Sequence, residues 1–200
     1  MARDSGRNLL RSEVAHLAAR LMAEDGIEDY ALAKRKAARQ LGASELGRLP
    51  DNDEIDAALV EYRAIYQRDT HPERLRRLRA IALGVMEKLA RFNPHLVGAV
   101  LKGSAGKFAD IELHLFTDSA KAVELHLLAA GIDYRAGSQR LYAGDQERFA
   151  PTFTLELEGV PVELTVLPPN DERLPVRTSP AGRPLERARA EAVAALVAGG

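Results

Sequence analysis

Two carboxylates two residues apart, Asp110 and Glu112, open the stretch Asp110 to Phe116, in which apolar and polar residues alternate. On a β-strand, residues i and i+2 project to the same face, so Asp110 and Glu112 can share one cation. Oxygen donors of this kind suit Mg²⁺, which is usually held by one or two carboxylates together with substrate phosphates. Just upstream stand Gly103 and Ser104. A glycine lets a phosphate approach the backbone, and a serine hydroxyl and nearby N–H groups donate to phosphate oxygens. Lys107, with Lys102 as a second candidate, supplies positive charge beside them. Alone, an Asp-x-Glu pair also marks the solvated face of an edge strand, and Gly-Ser alone carries little information. The combination in this order is what selects a phosphate and metal chemistry.

The elements that must position these residues follow from periodicity. Leu10, Val14, Leu17 and Leu21 form one helical stripe, ended at Gly26. A second helix is predicted from Tyr30 to Leu41, stopped by Gly42, and a third carries Ile55, Leu59, Tyr62 and Tyr66 after the turn at Pro50 to Asp53. His71-Pro72-Glu73 starts a fourth, with the stripe Leu75, Leu78, Ala82, Val85, Leu89 and Phe92. From His95 the period changes. Leu96 to Leu101 reads as a short apolar run and Asp110 to Phe116 as a half-buried strand. A helix with Val123, Leu127 and Leu128 comes next, capped by Asp118 or Ser119. Strand segments are predicted at Ile132 to Arg135, Arg140 to Ala143, Phe149 to Leu157 and, after the turn at Glu158-Gly159, Val160 to Leu167. Half of the 10 prolines fall between Pro168 and Pro184, which predicts an extended linker or a wrapping tail before a last helix over Leu185 to Ala198. The expected organisation is α+β: a helical N-terminal segment over 1–70, a domain with a small mixed β-sheet over 71–167, and a Pro-rich tail and C-terminal helix over 168–200.

The order helix, strand, Gly103-Ser104, short loop, strand with Asp110-Ile111-Glu112, helix, and later a strand with Val162-Glu163-Leu164 resembles the nucleotidyltransferase superfamily. That group includes DNA polymerase beta, CCA-adding enzymes and minimal antitoxin-type nucleotidyltransferases. The likeness covers about Pro72 to Leu167 and leaves 1–70 unexplained. It implies that Asp110, Glu112 and Glu163 are catalytic carboxylates holding Mg²⁺, or Mn²⁺ in its place. It further implies that Gly103, Ser104 and Lys107 bind the phosphates of a nucleoside triphosphate. The implied reaction is in-line attack on the α-phosphate, with transfer of a nucleotidyl group to an acceptor and release of pyrophosphate. Glu156 and Glu158 are rivals to Glu163 for the third carboxylate. Two departures stand out: only Ala105 to Ala109 separate Ser104 from Asp110, and the second acid is Glu rather than the commoner Asp. They leave open the alternative of a catalytically silent member serving as a nucleotide-, RNA- or partner-binding module.

Composition narrows the other classes. The chain has 200 residues, a net charge of −1, no Cys and no Trp, so thiol nucleophiles and Cys-based zinc sites are excluded. Neither a membrane span nor a signal-peptide core is visible, and a cytoplasmic protein is expected. Abundant Ala and an excess of Arg over Lys suggest a GC-rich bacterial gene. The only Gly-Lys, Gly106-Lys107, is followed by Phe108, so there is no P-loop. Lys34, Arg35, Lys36 and Arg39 form a basic cluster that is a candidate nucleic-acid contact, although Glu28 and Asp29 lie close by. Arg135, Arg140 and Arg148 are further candidates for nucleotide or acceptor. His114 continues the Asp110 and Glu112 face and reads as a surface histidine, with contact to a substrate or metal as the alternative.

Overall fold

The computed structural model describes residues 2–27, 29–43, 49–180 and 182–199, with side chains from residue 8 onward; Glu28 of the acidic pair lies outside the described residues. The chain divides into two compact units, Met1–Pro72 and Glu73–Gly200.

The first unit is helical. α1 (Ala2–Glu24), α2 (Tyr30–Gln40) and α3 (Asn52–Tyr66) share a core of Val14, Ala18, Ala33, Ala37, Ile55 and Leu59. Small alanines at the crossing points let the helices approach closely. Asp29 caps α2 through the N–H groups of Ala31 and Leu32, and Asp51 with Glu54 forms a reciprocal capping box on α3. Arg11 of α1 donates to Glu54, tying the first helix to that cap. One expected stripe is corrected here. Ile55 and Leu59 are buried, but Tyr66 is exposed and Arg63 takes the inward position in that turn. Tyr62 stacks on Tyr66 at 4.5 Å and donates to Glu24, so the tyrosines use their polar ends at the surface.

The second unit is α+β. Its sheet has six strands in the order β1-β2-β5-β4-β3-β6: β1 (Pro94–Val97), β2 (Ile111–Phe116), β3 (Tyr134–Ala143), β4 (Gln146–Leu157), β5 (Val160–Leu167) and β6 (Val176–Arg177). β2 and β5 run parallel and every other neighbouring pair is antiparallel. Alternation gives the sheet two unlike faces. Ile111, Leu113, Leu115, Phe153, Leu155, Val162 and Leu164 share a core with Leu78, Ala82 and Val85 of α4 (His71–Lys88) and with Leu89 just after it. Val123 and Leu127 of α6 (Ala120–Ala129) and Val193 of α7 (Ala190–Ala198) complete it. The opposite face is polar toward the start of β2 and apolar toward its end, where Phe116, Leu141, Ala143, Ala150, Leu167 and Val176 cluster.

Three sequence expectations change in this unit. The run Leu96 to Leu101 is not one strand: β1 stops at Val97, and α5 (Gly98–Lys102) follows. The segments Ile132 to Arg135 and Arg140 to Ala143 join in one strand, β3, which passes through Gly137 and Ser138. The proline-rich tail takes the wrapping form of the two expected for it, but the last helix is shorter than Leu185 to Ala198. After a 3-10 turn (Pro169–Arg173), β6 pairs with β3 at the sheet's edge, and Ala188 exchanges backbone hydrogen bonds with Leu96, so α7 begins only at Ala190.

Candidate functional site

The pairing of β2 with its two neighbours decides which side chains meet. Directly paired residues share a sheet face, and the register sets Val97 opposite Glu112, Glu112 beside Glu163, Glu163 opposite Thr154 and Thr154 opposite Arg135. A single transverse row therefore carries Glu112 and Glu163 on adjacent strands and ends at Arg135. Asp110 stands one step before the row on the Glu112 side. Asp110 and Glu112 are exposed and Glu163 is half-buried.

Burial, followed by the negative charge of Asp110, pushes the Glu163 carboxyl above its ordinary range. The amide of Gln139 on β3 donates to Glu163 Oε1 at 3.3 Å and also to the hydroxyl of Thr165. The backbone at the end of β1 is shaped around Glu112. Gly98 adopts φ +71°, and a Cβ placed there would fall 2.2 Å from Glu112 Oε1. Only glycine fits that turn without moving the carboxylate.

The sequence candidates divide on this map. Asp110, Glu112 and Glu163 come to one end of one face, with hard oxygen donors suited to Mg²⁺ or Mn²⁺. Among the described residues no group of three or more His, Cys, Asp or Glu side chains closes around one point. The arrangement is thus an adjacent pair with a third carboxylate in electrostatic range. Glu156 lies on the same face but is paired with Pro161, one strand beyond β5 from Glu112, and Glu158 sits in the β4–β5 turn at φ +52°. Gly103 and Ser104 do not follow β1 directly. α5 intervenes, Gly103 ends it at φ +84°, and Ser104 is buried. Lys107 is exposed on the loop into Asp110, its ammonium 5.1 Å from the centre of the Phe108 ring. Glycine 98 and Gln139 were missed in the sequence. A glycine straight after an apolar run was a usable signal for the first, whereas a polar residue inside a strand gave none for the second.

The remaining candidates are dispersed. No protein-family profile, curated protein or solved structure matches this chain. The assignment of roles therefore rests on the geometry. Of the three arginines, Arg135 alone ends the carboxylate row. Arg140 pairs with Glu147, and Arg148 holds the buried Asp171 at 2.9 Å. In the basic cluster Lys34 donates to Asn52 at 2.6 Å and Lys36 pairs with Asp25 at 2.8 Å, while Arg35 and Arg39 are exposed.

His114 is a correction: it is buried, 3% exposed, rather than a surface residue. Burial, with Arg187 and His95 adding positive charge, pushes its imidazole down to about 4, so the ring is neutral at pH 7. Arg187 of the tail lies over the neighbouring Phe116 ring at 5.4 Å, beyond the end of the polar patch. Among the described residues, two cavities lie away from the carboxylates. One of about 420 Å³ lies between α1 and α3, and an apolar one of about 220 Å³ is lined by Val85, Leu89, Leu127 and Leu155. No described helix is long and apolar enough to cross a membrane.

Proposed function

We propose that the polar end of the sheet face binds a nucleoside triphosphate with Mg²⁺ or Mn²⁺ and transfers a nucleotidyl group to an acceptor. The observation that carries this reading is the parallel β2–β5 register, which sets Glu112 beside Glu163 with Asp110 close enough to raise the Glu163 carboxyl. Two carboxylates abreast and a third nearby repel one another. A divalent cation relieves that repulsion and draws in phosphate oxygens as its remaining ligands. In this reading Asp110 and Glu112 hold the cation. Glu163 either joins them or takes the proton of the attacking hydroxyl, a role its raised carboxyl suits. Bound metal supplies charge neutralisation at the transferred phosphate. In this reading the exposed cations Lys107, on the loop before Asp110, and Arg135, at the end of the row, contact the phosphates, and Gly98 leaves room for Glu112 at the end of β1.

A second reading, a catalytically silent module binding nucleotide, RNA or a partner, is favoured by one observation. Ser104 is buried and α5 separates Gly103 and Ser104 from β1, so the glycine and serine do not follow the strand directly as the resemblance implies.

Thermal shift with ATP, GTP, CTP and UTP, with and without Mg²⁺ or Mn²⁺, tests both. A ligand that binds only the folded state raises its stability by mass action. The enzyme reading expects a metal-dependent shift lost in Asp110→Asn/Glu112→Gln, together with pyrophosphate release in the wild type. Nucleotide binding without release selects the silent module. No shift with any nucleotide, in a protein that melts cooperatively, removes the first reading.

A further inference from the structure

We propose that Gln139, on β3 and two strands away from β2, is the positioning residue for the cation site, holding the Glu163 carboxylate in the row it shares with Glu112. The inference rests on the proposed metal site and adds to it a residue outside the acidic cluster.

A primary amide has two N–H donors. In Gln139 one reaches Glu163 Oε1 at 3.3 Å and the other the Thr165 hydroxyl, so the amide bridges successive same-face residues of β5. Thr165 is buried, 2% exposed, which makes it a fixed anchor. Gln139 itself lies opposite Ala150, whose small side chain leaves room to reach across β4 to β5. A glutamate carries three rotatable bonds, and a half-buried one beside Asp110 is driven by repulsion to turn away. A neutral donor on one oxygen opposes that turn and leaves the carboxylate's remaining lone pairs for a cation. Groups that orient a metal-binding carboxylate in this way typically change metal affinity by about 10–100-fold when removed.

The test is a Mn²⁺ titration of the full chain followed by electron paramagnetic resonance, on wild type, Gln139→Leu, Glu163→Gln and the double variant, with melting temperature recorded for each. Gln139→Leu is expected to weaken Mn²⁺ about 10-fold. In the Glu163→Gln background the same substitution is expected to change affinity less than 2-fold, because the amide acts through the carboxylate it no longer meets. Gln139→Met keeps the length, removes the donor without adding charge and should weaken Mn²⁺ to a similar degree, which covers the case in which Gln139→Leu misfolds. Equal losses in both backgrounds, or a lower melting temperature with unchanged affinity, overturn the positioning role and leave the metal site standing. Failure of the wild type itself to bind Mn²⁺ overturns the metal site, and the inference with it.

Discussion

Glu163 sits where stability and charge oppose each other. Half-buried and facing Asp110, its carboxyl is held above the ordinary value of 4.5. A carboxyl raised in the folded state favours folding while protonated, and that contribution is lost as pH rises through the folded value. At pH 7 the ionised group therefore destabilises the fold it belongs to. Glu163→Gln removes the charge and keeps the amide within reach of Thr165 and Gln139. The variant is expected to melt higher than wild type at pH 7, by up to about 1 kcal/mol because half-exposed charge is screened. The difference should vanish near pH 4, where wild type is protonated as well. Melting curves at the two pH values check this, and an equal gain at both would mean that the repulsion is not the cause. A side chain kept at such a cost fits a group retained for a ligand.

At the scale of elements, β2 was legible and its surroundings were not. Alternation from Asp110 to Phe116 fixes which residues face the core, and Ile111, Leu113 and Leu115 are there. It does not say which strand lies beside β2. The parallel partner β5 supplies residues 51 positions later in sequence, Glu163 beside Glu112, after α6 and the β3–β4 hairpin, and only that arrival makes Glu163 rather than Glu156 the neighbour of Glu112. Gly137 and Ser138 look like a turn, yet a strand tolerates them because the real reversal is at Gly144, φ +59°. Five residues of α5 are too few for apolar periodicity to separate helix from strand. His114 reads as exposed because alternation assigns a polar face without knowing what covers it. The consequence is measurable. An imidazole held at about 4 when folded and near 6.5 when unfolded takes its proton only on unfolding between those values, so stability falls as pH drops through that window. The slope is about 1.4 kcal/mol per pH unit for one group. His95, also lowered by burial, adds in the same direction. Replacing His114 by Leu removes one such group together with its buried, unpartnered Nδ1. Denaturant unfolding at pH 7.5 and pH 5 should show the variant losing about 2 kcal/mol less than wild type across that interval. Equal losses would place the titration elsewhere.

For the whole molecule, the two compact units carry different candidate chemistries. The helical unit has its own buried cluster around Val14, Ala37, Ile55 and Leu59, and none of these residues belongs to the cores of the sheet unit. Asp110, Glu112, Glu163, Gln139 and Lys107 all belong to Glu73–Gly200, whereas Lys34, Arg35, Lys36 and Arg39 all belong to Met1–Pro72. A segment of this size can bury a sufficient core alone. Because α4 begins at His71, the natural cut precedes that residue rather than the compact unit's first residue. The chain from His71 onward is expected to fold cooperatively and to bind Mn²⁺ and nucleotide within about 3-fold of the full chain, which corresponds to less than 1 kcal/mol. Any RNA affinity carried by the α2 cations should be lost from that fragment. In the full chain it should weaken with salt at a slope set by the number of phosphates neutralised. Because Lys36 is paired with Asp25 whereas Arg35 and Arg39 are exposed, replacing Arg35 and Arg39 should flatten that slope. Retention of nucleotide binding with loss of RNA binding would make the helical unit an acceptor-recruiting arm of a nucleotidyl-transferring domain. Loss of both would mean that the site needs residues before His71, and the division of labour between the units would fail.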